Sequence, residues 1–340
     1  VAEVAAPHAI LMEVSTGTVL MEKAADEKVH PASVTKIMTM LLIMEALEQG
    51  KIALNDTVTV SEYAASMGGS QVYLEPYETQ TVETLLKCVA VASANDAAVA
   101  LAEHISGSEG DFVKKMNQKA AELGMKNTHF VNCCGLDDDA HLTTARDVAV
   151  MSREILKNHP QIHEYCTIWM ENIVHTTARG DFEFGLSNTN KLIKQYEYAT
   201  GLKTGYTSVA GFCVSASAKK DNIELVAVIM GGADSKSRFQ DAITLLNSGF
   251  ACCSLYQDTD PVPLPKLPVK GGVADTVTLK YAGTFSYVST DGTNLNQIER
   301  TMELPEEIQA PLEKGSEVGR LVYRIGGTEI GNTKILTEQA

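Results

Sequence analysis

The first group in the chain that could do chemistry is the tetrapeptide Ser33-Val34-Thr35-Lys36. Apolar residues at helical spacing follow it, which predicts that a helix starts here. Residues i and i+3 of a helix lie on one face about 5–6 Å apart, so the lysine amine would lie beside the Ser33 hydroxyl. An amine with a lowered pKa could accept the hydroxyl proton, and the unpaired N–H groups of the helix start could help hold an oxyanion. The pattern indicates a serine nucleophile with a lysine base.

This pattern alone is weak, because a second Ser-x-x-Lys occurs at Ser217-Ala218-Lys219-Lys220. We interpret that second match as a solvated strand end before a turn. Two motifs that occur once each support Ser33. Ser93-Ala94-Asn95 lies between two apolar helical runs, where it could face a cleft or simply cap the helices. Lys203-Thr204-Gly205 precedes a strand-like run, where its glycine would let another backbone approach closely, although an ordinary strand end is the alternative.

The sequence lacks the motifs of two other classes of hydrolase. The chain has no Gly-x-Ser-x-Gly elbow and no His-Glu-x-x-His pattern, which disfavours a Ser/His/Asp hydrolase and a zinc peptidase. We therefore expect no metal and no organic cofactor. The eight histidines are interpreted as surface or core residues: His8, His30, His104, His129, His141, His159, His163 and His175.

The seven cysteines form no Cys-x-x-Cys pair, and an odd number cannot all pair within one chain. The adjacent pairs Cys133-Cys134 and Cys252-Cys253 have poor geometry for bridging each other. Cys88 and Cys213 lie in apolar runs and are typical of small buried hydrophobic residues. We predict that most of the thiols are structural and unbridged. For Cys133-Cys134, buried packing is favoured over a redox-sensitive pair near the site.

Strands before and after a block of helices must position these motifs. We predict a hairpin of residues 8–14 and 18–22, helices over residues 31–50, 82–92, 96–105, 111–123 and 145–156, strands over residues 211–218 and 224–230, and a helix over residues 237–256. Thr144 and Asp147 are the predicted cap and dipole partner of the helix that follows them. Residues far apart in sequence must then share one sheet, which is an α+β layout.

Length and charge limit the class of protein. The 340 residues suggest two domains, and 28 basic against 43 acidic residues leave a net charge of −15. Such a charge repels phosphate backbones and anionic headgroups, so we expect neither nucleic-acid binding nor a polybasic membrane role. The longest apolar stretches, residues 37–44 and 225–230, are far shorter than the ~20 residues of a bilayer span. Residues 1–7 show no basic region and no apolar region of a signal peptide.

A proline-rich segment predicts the domain boundary. Four of the ten prolines fall within residues 261–268, which favours a stiff, extended linker. Beyond it, short predicted strands at residues 276–281, 319–324 and 328–331 are broken by glycine turns. We therefore predict a catalytic domain over residues 1–260 and a small all-β domain over residues 261–340.

The three motifs, in this order, resemble those of the penicillin-recognising serine D,D-peptidases, which share them with serine β-lactamases. Within that group the chain is similar to the low-molecular-mass D-alanyl-D-alanine carboxypeptidases. Other segments also resemble the family: residues 9–12 with Thr16-Gly17, 30–38, 123–130, 135–137, 145–147 and 201–205. Residues 310–315 are similar to the family's C-terminal domain. The resemblance covers nearly the whole chain. It implies a β-lactamase/transpeptidase-like α+β domain, with an antiparallel sheet and a helical cluster, followed by the all-β domain.

The resemblance also implies roles for the residues that match the motifs. Ser33 attacks the carbonyl between two terminal D-alanines, and Lys36 is its general base. Ser93, beside Lys203, relays the proton to the leaving amine, while Lys203 supplies positive potential.

The remaining matched residues would bind substrate. Asn95 bonds the substrate amide, Thr204 of the Lys-Thr-Gly motif, next to Gly205, binds the terminal carboxylate, and the N–H groups of Ser33 and Tyr206 hold the oxyanion. Arg238 resembles a family arginine that helps bind this carboxylate, although an arginine at an exposed helix start is as often a solvated charge.

The function implied is removal of the terminal D-alanine from peptidoglycan stem pentapeptides through an acyl-enzyme on Ser33, with β-lactams as covalent inhibitors. We expect an exported protein at the outer face of the cytoplasmic membrane. A D,D-endopeptidase would use the same residues. A β-lactamase is disfavoured because no convincing Glu-x-x-x-Asn-type loop is present. An inactive binding module is disfavoured because Ser33, Lys36, Ser93 and Lys203 are intact.

Some features depart from the family pattern. Tyr77 stands where relatives usually have glycine in the turn of residues 75–78, and Cys133-Cys134 before Gly135 is not general in the family. No segment similar to the family's amphipathic anchor helix follows residues 337–340 in this sequence. We therefore expect either that peripheral membrane association uses a C-terminal segment absent here or that the protein is not anchored in this way.

Overall fold

The computed structural model describes residues 2–339, so Val1 and Ala340, the outer limits of the two predicted domains, lie outside the described residues. The chain divides into two units between Ala251 and Cys252. This division comes earlier than the predicted boundary after residue 260. The reason is that Ser254–Gln257 already forms a strand, which pairs with Ser286–Ser289 of the second unit.

The first unit alternates strands with a central block of helices. In chain order it contains β1 (His8–Glu13), β2 (Val19–Lys23), a 3-10 turn (Ala32–Thr35), α1 (Lys36–Glu48), β3 (Thr57–Thr59), α2 (Glu62–Ala65), β4 (Thr79–Thr81), α3 (Val82–Ala92), α4 (Asn95–Ser106), α5 (Glu109–Glu122), α6 (Ala145–Asn158), α7 (Ile162–Cys166), β5 (Met170–Thr177), β6 (Gly180–Ser187), α8 (Leu192–Gln195), β7 (Ala199–Thr207), β8 (Gly211–Lys220), β9 (Ile223–Gly232) and α9 (Ser235–Cys252).

Five antiparallel strands form the main sheet in the order β2-β1-β9-β8-β7. The hairpin near the start of the chain therefore joins strands that lie some two hundred residues later, which confirms the predicted α+β layout. The central strands β8 and β9 carry near-continuous buried apolar residues, because both of their faces are covered. Strand β7, which carries the Lys-Thr-Gly motif, lies at the edge of the sheet.

The helical cluster agrees with the predicted helices. Helix α1 is buried along most of its length, and α3 and α4 pack against it and against each other. The Thr144 hydroxyl accepts a bond of 3.0 Å from the Asp147 N–H, which confirms the predicted cap of α6. Helix α9 ends at Cys252 and not at residue 256, because Leu255 and Tyr256 belong to a strand of the second unit.

A smaller sheet, in the order β3-β4-β5-β6, accompanies the helices. The turn that leads into β4 contains Tyr77, whose φ of 68° lies in the left-handed region that favours glycine. The Tyr77 side chain is exposed, and its hydroxyl donates a bond of 2.7 Å to Glu62. The turn thus keeps a glycine-type backbone although tyrosine occupies it.

The second unit is all-β, as predicted. It contains β10 (Ser254–Gln257), β11 (Leu267–Lys270), β12 (Thr276–Val277), β13 (Leu279–Tyr281), β14 (Ser286–Ser289), a 3-10 turn (Leu295–Gln297), β15 (Glu299–Glu303), β16 (Ile308–Gln309), β17 (Glu317–Ile325) and β18 (Thr328–Thr337). Its largest sheet has the order β13-β18-β17-β15. Within residues 2–339, no helix is both long enough and apolar enough to cross a membrane.

Gly135 is the point where a loop reaches the start of α1. Its φ is +96°, and a Cβ atom built on it would lie 1.8 Å from the Ala32 carbonyl oxygen and 2.9 Å from the Ser33 nitrogen. No side chain fits in that space. The loop after Cys134 can therefore support the turn that carries Ser33 only because residue 135 is glycine.

We expect Gly135→Ala to lower the free energy of unfolding by more than about 4 kcal/mol, because the new methyl group must displace backbone atoms. Gly124→Ala is the matched control. Gly124 also has a positive φ, of +76°, but no atom lies within 4 Å of its Cβ position, so only the backbone penalty of about 1–2 kcal/mol applies. Urea unfolding of both variants measures the difference. Equal losses would show that the close approach at Gly135 does not matter.

Candidate active site

Ser33 lies in the 3-10 turn Ala32–Thr35, which runs directly into α1 at Lys36. The predicted helix start is therefore a tighter turn, but the i, i+3 spacing still directs Lys36 toward Ser33. Ala32, Val34 and Thr35 are buried, whereas Ser33 is partly exposed. The neighbours of Ser33 thus anchor the turn in the core and leave its hydroxyl open to a ligand.

Strand β7 lies against this turn because residue 205 is glycine. A Cβ atom at Gly205 would be 2.8 Å from the Ser33 nitrogen and 2.9 Å from the Val34 nitrogen. The Lys-Thr-Gly motif is thereby brought beside Ser33 from 170 positions further along the chain. This is the close backbone approach that the motif's glycine predicts.

Lys36 is fully buried, and its Nζ atom lies 2.9 Å from Ser33 Oγ and 3.2 Å from Ser93 Oγ. Burial lowers the pKa of Lys36 to about 8, against the opposing effects of Cys134, Cys133 and Asp96. About a tenth of this amine is therefore neutral at pH 7, against less than about a thousandth for an ordinary lysine. A neutral amine at hydrogen-bond distance is positioned to accept the Ser33 proton.

Ser93 joins two lysines. It ends α3 in the left-handed conformation, with φ 58° and ψ 35°, so that the chain turns at once into α4. Its Oγ atom accepts bonds from Lys36 and from Lys203, the latter at 2.9 Å. Lys203 also donates to the Thr204 carbonyl at 2.9 Å. Its pKa is held well below the ordinary value, mainly by burial and then by the charge of Lys36.

Asn95 begins α4 with a buried side chain. Its Nδ2 atom donates a bond of 2.8 Å to the Gly68 carbonyl. Its Oδ1 atom has no hydrogen-bond partner among the described residues. A buried acceptor without a partner is costly, and an N–H group of a ligand would satisfy it. The neighbouring Asp96 accepts bonds from Val72 and Leu74 N–H groups and so holds the loop before the site.

Thr204 and Tyr206 flank Gly205 on β7. The Thr204 hydroxyl is buried and lies 2.7 Å from the hydroxyl of Thr189. Tyr206 is half exposed, and its ring stacks on Phe212 with centroids 4.2 Å apart. Thr189 is part of this arrangement, but no motif in the sequence pointed to it.

Arg238 is buried and not a solvated charge, because α9 packs its start against the sheet. Its guanidinium donates to the carbonyls of Gly205 and Cys213 at 3.3 and 3.1 Å, and it lies 4.6 Å from the Phe239 ring centroid. Burial lowers the pKa of Arg238 to about 10. None of the ion pairs between described residues involves Arg238, so its positive charge is available to an anionic ligand.

The second Ser-x-x-Lys forms no comparable site. Ser217 is fully buried within β8, not solvated as predicted, and its hydroxyl accepts a bond of 2.9 Å from Thr200. Two of the histidines interpreted as surface or core residues are buried: His141 lies 2.8 Å from the Thr35 hydroxyl, and His175 lies 2.7 Å from a Glu78 oxygen. The structure thus brings Ser33, Lys36, Ser93, Asn95, Lys203, Thr204, Gly205, Tyr206 and Arg238 to one region.

Comparisons with known proteins agree with this geometry. A family model described as D-alanyl-D-alanine carboxypeptidase matches residues 1–234, and one described as penicillin-binding protein 5, C-terminal domain, matches residues 251–340. The D-alanyl-D-alanine carboxypeptidase DacF of Bacillus subtilis is 43% identical over 337 residues, covering 98% of this chain and 85% of that protein. DacC of Escherichia coli is 33% identical, covering 94% of this chain and 80% of that protein.

Solved structures show the same relationship. A peptidoglycan synthesis regulatory factor, PBP3, of Streptococcus pneumoniae has a TM-score of 0.78 and 29% identity, and the match covers 99% of each chain. Penicillin binding protein 5 of Haemophilus influenzae has a TM-score of 0.74 and 31% identity, covering 99% of this chain and 97% of that one. Both matches include the catalytic unit and the all-β unit, because they extend over nearly the whole chain.

The low pKa of Lys36 predicts a stability effect that depends on pH. Because the folded-state pKa lies below the unfolded value, the charged amine costs stability below pH 8, and this cost disappears as pH rises toward 10.5. We expect Lys36→Met to raise the free energy of unfolding by about 3 kcal/mol at pH 7. The gain should shrink to below about 1 kcal/mol at pH 10.5. Urea unfolding of both proteins across this range measures it, and a gain independent of pH would contradict the assignment.

Proposed function

This chain belongs to the D-alanyl-D-alanine carboxypeptidase family, and we propose that Ser33 is the nucleophile with which it removes a terminal D-alanine. The enzyme is a serine-type D-alanyl-D-alanine carboxypeptidase of the penicillin-binding group, which acts on peptidoglycan stem peptides and binds β-lactams. The observation that carries the proposal for Ser33 is the continuous chain of contacts from its hydroxyl through Lys36 and Ser93 to Lys203.

In the first step, Ser33 Oγ bonds to the carbonyl carbon between the two terminal D-alanines, and its proton moves to Lys36 Nζ. The carbonyl oxygen becomes an oxyanion, which we assign to the backbone N–H groups of Ser33 and Tyr206. The distance of 2.9 Å between Lys36 Nζ and Ser33 Oγ and the lowered Lys36 pKa support Lys36 as the base.

In the second step, the bond to the leaving D-alanine breaks and its amine takes up a proton. Ser93 can donate that proton and regain one from Lys36, because its hydroxyl lies 3.2 Å from Lys36 Nζ. Lys203 keeps the potential around Ser93 positive, which favours this relay. Water then attacks the acyl-enzyme, gives its proton to Lys36 and releases the shortened peptide, with the proton returned to Ser33.

The terminal carboxylate of the substrate needs positive partners. We propose that the Thr204 hydroxyl bonds it, while Lys203 and Arg238 supply the charge. The buried Arg238, which has no carboxylate partner among the described residues, supports this role. We propose that Asn95 bonds the substrate amide through Oδ1, the buried acceptor that lacks a partner.

The cellular location of the enzyme and its role in cell shape are predictions from the family resemblance. We propose that the enzyme is exported, acts on the outer face of the cytoplasmic membrane and contributes to cell shape. A peripheral association with that membrane is part of the same proposal. We likewise propose that the first unit is a catalytic domain and the second an all-β domain, with the limit between them after Ala251 and not after residue 260.

Intact mass measurement after incubation with benzylpenicillin tests Ser33. We expect one adduct on the wild type and none on Ser33→Ala, because the partly exposed Ser33 hydroxyl lies 2.9 Å from Lys36 Nζ, whereas Ser93 is buried. D-alanine release from a stem pentapeptide should disappear in the same variant. Ser217→Ala, which alters the other Ser-x-x-Lys, should acylate like the wild type. An adduct on Ser33→Ala, or on neither protein, would overturn the proposal.

Thr204→Val tests recognition of the terminal carboxylate. A hydrogen bond to a charged group contributes about 1.5–3 kcal/mol, so we expect kcat/KM for a free-acid stem peptide to fall roughly 10- to 150-fold. A substrate with an amidated C-terminus should lose much less. Thr200→Val, on the same strand but bonded to Ser217 and Glu224, is the control. Equal losses on both substrates would show that Thr204 does not bind the carboxylate.

A further inference from the structure

A second group of reactive side chains lies behind the catalytic residues. Cys133, Cys134 and Glu109 each offer a ligand atom, and these atoms lie within 4.8 Å of one another. Both cysteines are buried, and Glu109 is partly exposed. Glu109 begins α5, whereas the cysteines lie in the loop before Gly135. The proposed carboxypeptidase mechanism uses none of the three.

We propose that Glu109, Cys133 and Cys134 form a three-ligand site for a soft divalent metal ion such as Zn²⁺ or Cd²⁺. Thiolate sulfur is the ligand that such ions prefer, and a carboxylate oxygen completes common zinc sites. The proposal is independent of the carboxypeptidase activity, because it depends on residues outside the catalytic set.

The distances fit one metal ion. Two zinc–sulfur bonds of about 2.3 Å at a tetrahedral angle place the sulfur atoms about 3.8 Å apart. The Cys133 and Cys134 Sγ atoms are 3.9 Å apart. This spacing is too long for a disulfide bond of about 2.05 Å. Glu109 Oε2 lies 3.1 Å from Cys133 Sγ, slightly closer than the sulfur–oxygen spacing of about 3.6 Å at a zinc ion.

Neighbouring groups hold the ligands in place. The Tyr63 hydroxyl donates a bond of 2.6 Å to Glu109 Oε1, which leaves Oε2 directed to the cysteines. Asn132 Oδ1 accepts bonds from the Cys134 and Gly135 N–H groups at 3.1 and 2.7 Å. Partners of this kind orient the ligands of metal sites. Tyr63 is half exposed and Glu109 is partly exposed, so the carboxylate end of the site lies nearest the solvent.

A bound ion would tie the loop of the cysteines to the start of α5. The Cys133 carbonyl accepts a bond of 2.8 Å from Thr39 of α1, and Cys134 Sγ lies 3.6 Å from the Asn95 carbonyl. Gly135, the next residue, packs against the Ser33 turn. The ion would therefore stabilise the loop that contacts α1, Asn95 and the Ser33 turn.

Titration of the reduced full-length chain with Cd²⁺ tests the site, since thiolate-bound Cd²⁺ has an ultraviolet charge-transfer band. We expect one Cd²⁺ per chain and a higher melting temperature on binding. The variant Cys133→Ser/Cys134→Ser should lose both effects. Cys252→Ser/Cys253→Ser, which changes the other adjacent pair, should keep both. Absence of the band in the wild type, or its loss in the second variant instead, would overturn the proposal.

Two further variants keep the test valid if the double serine variant unfolds. Glu109→Gln should weaken Cd²⁺ binding by at least tenfold while the band at saturation remains. Tyr63→Phe, which leaves every ligand and alters only a half-exposed hydroxyl, should weaken binding 10- to 100-fold. Zn²⁺ affinities from competition with a chromophoric chelator should follow the same order. Unchanged affinity in both variants would exclude Glu109 as a ligand and overturn the three-ligand site.

Discussion

The structure depends on the burial of two lysines beside one serine hydroxyl. Lys36 and Lys203 both donate to Ser93 Oγ, and neither amine forms an ion pair with a described carboxylate. Removing such groups from water is costly, and their like charges oppose each other. For Lys36 this environment raises the neutral fraction of the amine, and the neutral form is the one that we propose acts as the base. The free-energy cost of burying the charged amine is thus also what lowers the pKa of Lys36.

The surrounding fold supplies what these lysines need. Lys36 comes from the start of a buried helix, Lys203 from an edge strand and Ser93 from a left-handed turn between two helices. Three backbone segments must therefore meet at one point. Gly205 and Gly135 allow the meeting, because a Cβ atom at either position would overlap the Ser33 turn. Backbone contact in place of side-chain contact holds the Ser33 turn in place, which favours a preorganised site.

The loop that supports the Ser33 turn also carries two thiols that the proposed reaction does not use. Cys133 and Cys134 belong to the loop that ends at Gly135, so the residue that supports the Ser33 turn is adjacent to the thiols that we assign to a metal site. An ion there would bind the loop and Glu109, and none of its ligands is a residue that we assign to the reaction. Support of the turn and metal binding would then be two properties of one short segment.

The sequence by itself determined the parts of this protein that are local. The three motifs, the Lys36 position three residues after Ser33, the Thr144 cap of α6 and the α+β order all follow from spacing and residue type, and the structure agrees with them. Sequence reasoning misjudged Ser217 and the end of α9, and it left Arg238 undecided, because burial and strand pairing there depend on distant segments. Only the tertiary structure decided that Thr189 meets Thr204, that Asn95 has an unpartnered acceptor and that Glu109 reaches the cysteines. These contacts join residues of different elements, and no local pattern encodes the distance between them.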